Sequence, residues 1–293
     1  MKDSLDVIAQ ELSEEISGQL LKSGLMFRIF CRAKTIDSIR HKINVKYAGV
    51  EQKPKILDAI GIRIVTYFQD DIDALSLYYS ISDVVKKAID EPDTSTFRPQ
   101  RLNLTRRLPE HLIDRFHAAL PSEFAEMIDD TYEIQIRTVF SEGWHEVEHD
   151  LRYKCQSDWK GCEQYSRVLN GIIATLETAE WNMKSLFNDM AKQNLVYGNY
   201  TAMLRNKLHI RMRGEGLSEE IEGFLKSHPA VAEQMFNTDR MIIVYTLLAH
   251  KGDISLTYDN LAFLINRIEI MDPEFMALEN EETARMLDCF LES

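Results

Sequence analysis

The chain contains 293 residues, 45% of them hydrophobic, and carries a formal net charge of −13 at pH 7. It is long enough for one or two domains with a substantial core, and no apolar run approaches the ~20 residues of a membrane-spanning helix. The acidity argues against general nucleic-acid binding, which needs a positive surface, and four cysteines without a C-x-x-C pair argue against a disulfide framework or a cysteine zinc site.

Helices and strands are predicted to alternate over about the first 155 residues. Residues 4–23 have the apolar spacing of an amphipathic helix that ends at Gly24, and the acidic start without an apolar signal segment predicts a cytoplasmic protein. A strand at 26–32 leads to Thr35, which is expected to cap a helix through about residue 46. The further predicted elements are a strand at 60–67, a helix at 71–88, a loop at 90–99, a strand at 101–108, a helical stretch at 110–128, a strand at 132–138 with its helix, and a long helix at 158–194.

Beyond residue 194 the pattern is helical, with segments predicted at 217–228, 239–250 and 257–269. Five basic residues precede these segments at alternate positions: Arg205, Lys207, His209, Arg211 and Arg213. They indicate contact with a nucleotide, RNA or a neighbouring subunit, or else a solvated edge. The helices are expected to complete the core, with a homo-oligomer interface as the alternative.

A polar face is predicted on the strand at 132–138. Because strand side chains alternate between faces, Glu133, Gln135 and Arg137 share one face while Tyr132 and the isoleucines bury the other. A carboxylate and a guanidinium two positions apart suit a divalent metal and a phosphate of one ligand. A half-buried strand with one wetted face is the competing interpretation.

A second polar cluster lies at a predicted strand-to-helix junction. It contains Arg32, Lys34, Ser38 and Lys42, where unpaired backbone N–H groups and the helix dipole favour an anion. Ser38 and Lys42 are four residues apart and therefore lie on one helical face. The cluster indicates polyphosphate binding, and a basic helix start at the surface is the alternative.

A third cluster surrounds the most apolar predicted strand. Asp58 lies just ahead of it, Gly61 permits close approach of a ligand or a backbone, and Arg63 shares a face with Gly61. A buried guanidinium is costly unless it is paired. We therefore expect Arg63 to meet a phosphate or a carboxylate, and Glu133 is one candidate.

Four motifs occur in order over about residues 26–155: R-x-K-[ST]-x-x-S-I-x-x-K, D-x-x-G-x-R-I, E-x-Q-I-R-T and W-x-x-x-E-H-x-x-x-Y-K. Their order and separation resemble the synthetase domain of the RelA/SpoT family of (p)ppGpp synthetases, including the small alarmone synthetases of the stringent response. The resemblance implies an α+β fold with a nucleotidyltransferase-like mixed sheet flanked by helices. Together with the helical pattern on either side, this predicts four segments: an N-terminal helix at 1–25, the synthetase domain at 26–157, a bridging helix at 158–198 and a helical accessory region at 199–293.

The family reaction moves the β,γ-pyrophosphate of ATP to a ribose 3′ hydroxyl of an acceptor nucleotide, GTP or GDP. Carried over residue by residue, the resemblance assigns Asp58 and Glu133 to catalysis as Mg²⁺ ligands, and Glu133 also to the proton of the attacking hydroxyl. It assigns binding of the ATP phosphates to a further set of residues: Arg32, Lys34, Ser38, Lys42, Arg63 and Arg137. A metal and several cations are what such a transfer needs, because it depends on positioning and charge neutralisation.

The acceptor loop departs from the family pattern. In place of G-Y-x-S-x-H, whose tyrosine stacks on guanine, the chain has T-F-R-P-Q-R-L-N-L at 96–104. Phe97 offers an aromatic face and Asn103 a base-edge hydrogen bond, and the remaining acceptor candidates are Arg101, Gln135 and His149. ATP use is therefore expected, while the acceptor stays open between guanosine nucleotides and the adenosine nucleotides or tRNA 3′ end used by toxin-type relatives.

Two other function classes compete with this interpretation. His145, Glu146 and His149 satisfy H-E-x-x-H, the pattern of a zinc metallopeptidase, but no third ligand follows and the fourth motif explains His149 without zinc. A catalytically inactive nucleotide-sensing module is the second class. It would not need both Asp58 and Glu133.

Overall fold

The computed structural model describes residues 4–46, 54–81, 84–89, 102–250 and 252–293. These residues fall into two compact units, one within 1–18, 27–72 and 79–177 and the other within 19–26, 73–78 and 178–293. Within the described ranges, no helix combines the length and the apolar character needed to cross a bilayer.

A mixed sheet forms the centre of the first unit. In the described part of the chain its strands are β1 Phe27–Ala33, β2 Ile60–Thr66, β3 Val84–Ile89, β4 Leu102–Arg107 and β5 Thr131–Thr138. Their order is β1-β2-β5-β4-β3, with β2 and β5 parallel and the other neighbours antiparallel. Helices flank this sheet, so the predicted α+β fold with a mixed sheet is confirmed.

The two central strands, β2 and β5, are apolar on one face and polar on the other. Ile62 and Ile134 are register partners and both are buried. On the opposite face Gly61 is the register partner of Glu133, and Arg63 is the register partner of Gln135. The period-two alternation read from the sequence therefore places the polar residues of two motifs side by side.

Between residues 4 and 196, the described part of the chain contains six helices: α1 Leu5–Lys22, α2 Ile36–His41, α3 Gln69–Tyr79, α4 Glu110–Ala119, α5 Val139–Glu148 and α6 Glu163–Val196. A π-type turn, Lys42–Lys46, extends α2, and another, His149–Tyr153, extends α5. A 3₁₀ turn, Ser122–Met127, follows α4 within the stretch predicted as helical. The loop predicted at 90–99 lies outside the described residues.

The helix predicted over 71–88 is wrong in its second half. α3 ends at Tyr79, and β3 pairs with β4 through register partners such as Lys87 with Leu104. Val84 and Val85 are β-branched and favour an extended backbone. The local pattern failed here because pairing with a neighbouring strand is a tertiary effect.

Side-chain caps set the starts of the two helices that carry predicted site residues. The Thr35 hydroxyl accepts a hydrogen bond from the Ser38 backbone N–H at 3.2 Å and begins α2 as expected. Thr138 accepts from the Ser141 backbone N–H at 3.2 Å and begins α5 at the residue after β5. Strand β5 thus passes into α5 without an intervening loop.

The second unit is helical. After the later part of α6 it contains α7 Tyr200–Leu208, α8 Glu219–Ser227, α9 Pro229–Asn237, α10 Arg240–Ala249, α11 Tyr258–Ile265, α12 Pro273–Met276 and α13 Glu281–Leu291. The three segments predicted from the sequence correspond to α8, α10 and α11. The other four helices were not predicted, although Met203 in α7 and Phe275 in α12 belong to the buried core.

Candidate active site

A pocket of about 650 Å³ opens on the polar face of β1, β2 and β5. Its volume lies in the range of small-molecule sites. Six of the residues proposed from the motifs line it: Arg32, Lys34, Asp58, Arg63, Glu133 and Gln135. The fold therefore brings together side chains from three separate motifs.

The Asp58 carboxylate lies between two ammonium groups. Lys34 Nζ is 2.5 Å from Oδ2, and Lys42 Nζ is 3.0 Å from Oδ1. Lys34 also donates to the Asp58 backbone carbonyl at 2.8 Å. Burial alone would raise the pKa of Asp58, but the hydrogen bonds and charges of Lys34 and Lys42 outweigh it and hold this pKa below its usual value.

A row of hydrogen bonds runs along the polar face of β5. Gln135 Nε2 donates to Glu133 Oε2 at 2.8 Å, and Arg137 Nη2 donates to Gln135 Oε1 at 3.3 Å. Glu133 and Gln135 are half-buried, whereas Arg137 is buried. The shared face predicted for these three residues is confirmed, and the amide of Gln135 links the carboxylate to the guanidinium.

Arg63 is paired with carboxylates of α5 rather than with Glu133. Its Nη1 is 2.5 Å from Glu142 Oε1 and also contacts Glu146. Arg137 Nη1 donates to the other oxygen of Glu142 at 2.9 Å. Burial would lower the pKa of Arg63, but Glu142 and Glu146 raise it above its ordinary value. The expectation of a carboxylate partner was right, and the candidate named for it was wrong.

The pocket lining also includes Arg28, Phe30 and Glu142, which the sequence analysis did not name, and Glu146, which it named only within H-E-x-x-H. Arg28 and Phe30 alternate with Arg32 on the exposed face of β1. Within the described residues, neither Arg28 nor Arg32 has a side-chain hydrogen bond or an ion pair. The period of two along the predicted strand would have found Arg28 and Phe30, whereas Glu142 and Glu146 required the position of α5.

Ser38 and Lys42 lie beside the pocket rather than among its lining residues. The Ser38 hydroxyl is 2.8 Å from the Thr35 hydroxyl at the start of α2, and Lys42 reaches the pocket through its contact with Asp58. The first motif is thus divided between a strand that lines the pocket and a helix whose lysine contacts a lining carboxylate.

The candidate acceptor residues are only partly brought together. Asn103 on β4 is the register partner of Gln135 on β5, so the two side chains share a face. His149 lies outside the pocket lining, where its ring stacks on Tyr153 and its Nδ1 is 3.0 Å from Asp150. Phe97 and Arg101 lie outside the described residues.

The H-E-x-x-H sequence does not form a zinc site in this structure. His145 is buried and packs edge-on against Trp144, Glu146 contacts Arg63, and His149 is exposed. Among the described residues, the one group of three side chains close enough to share a metal ion lies elsewhere, at Glu11, Glu15 and His111. The zinc peptidase hypothesis therefore gains no support.

Residues 31–158 match the family model described as "Region found in RelA / SpoT proteins". This part of the chain is a RelA/SpoT domain. The matched range contains Asp58 and Glu133 and begins within β1, so it coincides with the sheet that bears the pocket. The family predicted from the four motifs is confirmed.

A curated relative of the RelA/SpoT domain is the GTP pyrophosphokinase YwaC of Bacillus subtilis (strain 168). It is 30% identical over 135 residues, which cover 43% of this chain and 58% of YwaC. The chain thus spans somewhat more than half the length of that relative.

Solved structures similar to this chain include small alarmone synthetase 1 from Bacillus subtilis bound to its product pppGpp. The identity is 21% and the TM-score 0.44, over 61% of this chain and 90% of that one. A GTP pyrophosphokinase family protein from Streptococcus pneumoniae is 18% identical, with a TM-score of 0.43 over 63% of this chain and 89% of the other.

Proposed function

We propose that the RelA/SpoT domain transfers the β,γ-pyrophosphate of ATP to the ribose 3′ hydroxyl of a guanosine nucleotide. The observation that carries the proposal is the arrangement around Asp58. One pocket holds this carboxylate between Lys34 and Lys42, together with Glu133 and the guanidinium of Arg32, which no described side chain pairs with. The name of the relative YwaC, GTP pyrophosphokinase, agrees with this reaction.

The cations of the pocket suit a polyphosphate. Arg28 and Arg32 have no partner among the described residues, so a phosphate can take their donors without breaking an existing ion pair. Guanidinium groups bind phosphate oxygens in a bidentate manner. Lys34 and Lys42 can then exchange their contact with Asp58 for contacts with phosphate oxygens, which leaves the Asp58 carboxylate available.

The pocket fits Mg²⁺ by the chemistry of its donors. Asp58 and Glu133 offer carboxylate oxygens, the ligands that this hard cation prefers. When bound, the ion would supply Lewis acidity and neutralise charge on the phosphate oxygens. Asp58 would hold it in place of the two lysines, and Glu133 would hold it from the neighbouring strand.

We propose that Glu133 is the general base that removes the proton of the attacking hydroxyl. A general base has to lie within hydrogen-bonding reach of the proton that it removes. The Gln135 amide donates to one oxygen of Glu133 at 2.8 Å, and Glu133 lines the pocket. Asn103 lies beside Gln135 on the next strand, so these two amides would orient the acceptor next to the base.

Arg63 and Arg137 act as positioned countercharge. Glu142 contacts both guanidinium groups, and Glu146 contacts Arg63, so their side chains are held before any substrate arrives. Positioned donors that need no rearrangement are worth more in such a site than mobile ones. The acidic residues of α5 are therefore positioning residues in this proposal.

The test is transfer of label from ATP labelled in its γ-phosphate, with Mg²⁺, to GTP, GDP, ATP or bulk tRNA supplied separately. We expect AMP formation and labelled guanosine product. Glu133→Gln should lower turnover by about 100-fold or more while ATP binding persists. Glu110→Gln, an exposed site on α4, is the control and should behave like the wild type.

Three results would contradict the proposal. Unchanged turnover in Glu133→Gln would remove the base assigned here. Label on tRNA or on adenosine nucleotides alone would overturn the guanosine acceptor. No transfer to any acceptor, with ATP still bound, would favour a nucleotide sensor.

A further inference from the structure

The second unit contains a cavity of about 500 Å³ that shares no residue with the candidate active site. It lies between the turn after α1, the segment after α7 and the segment before α11. The lining residues used below are Lys22, Leu25, Arg211, Arg213, Asp253 and Leu256. All of them belong to the second unit, and the cavity volume is that of a small-molecule site.

The structure separates the five alternating basic residues into two groups. Arg205 Nε donates to the Tyr258 hydroxyl at 2.7 Å, so this guanidinium is held within the unit. Lys207 lies over the Phe236 ring at 4.9 Å, and His209 is buried at the end of α7. These three residues have structural roles that account for them.

Arg211 and Arg213 form the second group. Both are exposed, and among the described residues neither guanidinium has a hydrogen bond or an ion pair. Both line the cavity. Of the five alternating basic residues, Arg211 and Arg213 are therefore the two that line this cavity and that have no partner among the described residues.

The backbone that carries the two arginines is fixed. The Arg211 N–H donates to the Gly24 carbonyl and the Arg213 N–H to the Leu256 carbonyl, each at 2.7 Å. Gly24 has φ +72°, and a Cβ there would lie 2.8 Å from Leu256 Cδ1 and 3.0 Å from the Arg211 carbonyl oxygen. A glycine is therefore needed where these segments meet, and the two arginine side chains extend from a backbone that is held by hydrogen bonds on this side of the cavity.

The charges and the floor of the cavity define the ligand class. Arginine side chains bind phosphate oxygens in a bidentate manner. Leu25 and Leu256 are buried and supply an apolar floor. Lys22 is 2.7 Å from Asp253, but both side chains are exposed, so this ion pair is weak and Lys22 can turn to a phosphate.

A small anion fits better than a nucleic acid. Residues 178–293 contain 18 acidic and 11 basic side chains, and this net negative charge disfavours binding of an extended polyanion. We infer that the cavity bounded by Lys22, Arg211 and Arg213 is a second binding site, for a phosphorylated small molecule whose phosphates contact the arginines and whose apolar part covers Leu25 and Leu256. The site does not depend on the reaction proposed for the RelA/SpoT domain.

Hydrogen–deuterium exchange of the full chain tests this site, because it reports on each segment separately. The probes are inorganic phosphate, pyrophosphate, ATP and GTP at millimolar concentration. We expect slower exchange in peptides covering 19–26 and 208–216. Protection by pyrophosphate identifies phosphate recognition, and protection by nucleotides alone shows that the apolar floor also contributes; both results support the site.

Arg211→Gln with Arg213→Gln should raise the apparent Kd measured at these peptides by about tenfold or more. Folding should be unaffected, because neither side chain has a partner among the described residues, and circular dichroism checks this. The control, Lys226→Gln with Arg285→Gln, removes the same charge from exposed positions of the same unit. Arg213→Glu is the second variant and should weaken binding further by repulsion.

The inference fails if none of the four probes protects 19–26 and 208–216 in the wild type. It also fails if the arginine double variant retains wild-type affinity, or if the control variant loses affinity to the same extent. Protection by an RNA oligomer without protection by the small phosphates would assign the cavity to a different class of ligand.

Discussion

Replacing Glu142 with Gln should destabilise the first unit more than the same replacement at an exposed glutamate of α5. The Glu142 side chain is only 14% exposed, and its two oxygens contact Arg63 at 2.5 Å and Arg137 at 2.9 Å. The Arg137 side chain is 10% exposed, so the variant removes a carboxylate from contact with a buried guanidinium. Arg137 also donates to Gln135 Oε1 at 3.3 Å, a contact that the variant leaves in place.

The magnitude follows from burial. Breaking a fully buried ion pair costs about 3–5 kcal/mol. Arg63 is more exposed, at 31%, and keeps Glu146, so its share is below about 1 kcal/mol. An amide oxygen at position 142 still accepts one hydrogen bond, which leaves a net loss of about 2–3 kcal/mol, mainly through Arg137.

Urea denaturation followed by tryptophan fluorescence measures this loss. Trp144 lies on α5 itself, and its indole N–H donates to the Leu169 carbonyl at 2.9 Å, so the part of the emission that comes from Trp144 reports on the first unit. The matched control is Glu146→Gln, one helical turn later, where the side chain is 53% exposed and the loss should stay below about 1 kcal/mol. Equal midpoints for the two variants would refute the argument that burial sets the difference.

Two further predictions concern the pocket itself. Since the pKa of Asp58 is lowered in the folded protein, its pairing with Lys34 and Lys42 should stabilise the fold at pH values above the ordinary aspartate pKa of about 4. This stabilisation should be lost as the pH falls through the lowered pKa. The free energy of unfolding should therefore fall less steeply with acid in Asp58→Asn, and identical curves for the variant and the wild type would contradict the assignment. Arg28→Gln should raise the KM for ATP by about tenfold. It should leave the thermal midpoint unchanged, because the exposed guanidinium of Arg28 has no partner among the described residues. Arg107→Gln, at the exposed end of β4, is the control, and equal KM values for the two variants would remove Arg28 from the ATP site.

Sequence periodicity was sufficient for the strand faces of the site. Glu133, Gln135 and Arg137 share a face because strand side chains alternate, and this follows from their spacing alone. The cap at Thr35 was predictable for the same reason, since a hydroxyl three residues ahead of its N–H partner is a local signal. Interactions between residues that are close in the sequence can therefore be predicted from their spacing.

Interactions between distant elements were not predictable. The pairing of Arg63 with Glu142 joins residues 79 positions apart and depends on where α5 packs against β2. The strand at Val84–Ile89 was taken for helix because its pairing with β4, which stabilises the extended backbone, cannot be read from its own residues. In both cases the interacting partner is distant in the sequence and is brought close only by the tertiary fold, so residue spacing does not predict it.

The junction at Thr138 has a consequence for how this domain can change in length. Because β5 ends and α5 begins at adjacent residues, an insertion of one residue there would rotate the helix by about 100°. Glu142 and Glu146 would then leave Arg63 while Glu133 kept its place on the strand. The number of residues between the carboxylate on β5 and the carboxylates on α5 is therefore fixed by geometry, and an insertion or deletion at this junction would separate Glu142 and Glu146 from their arginine partners.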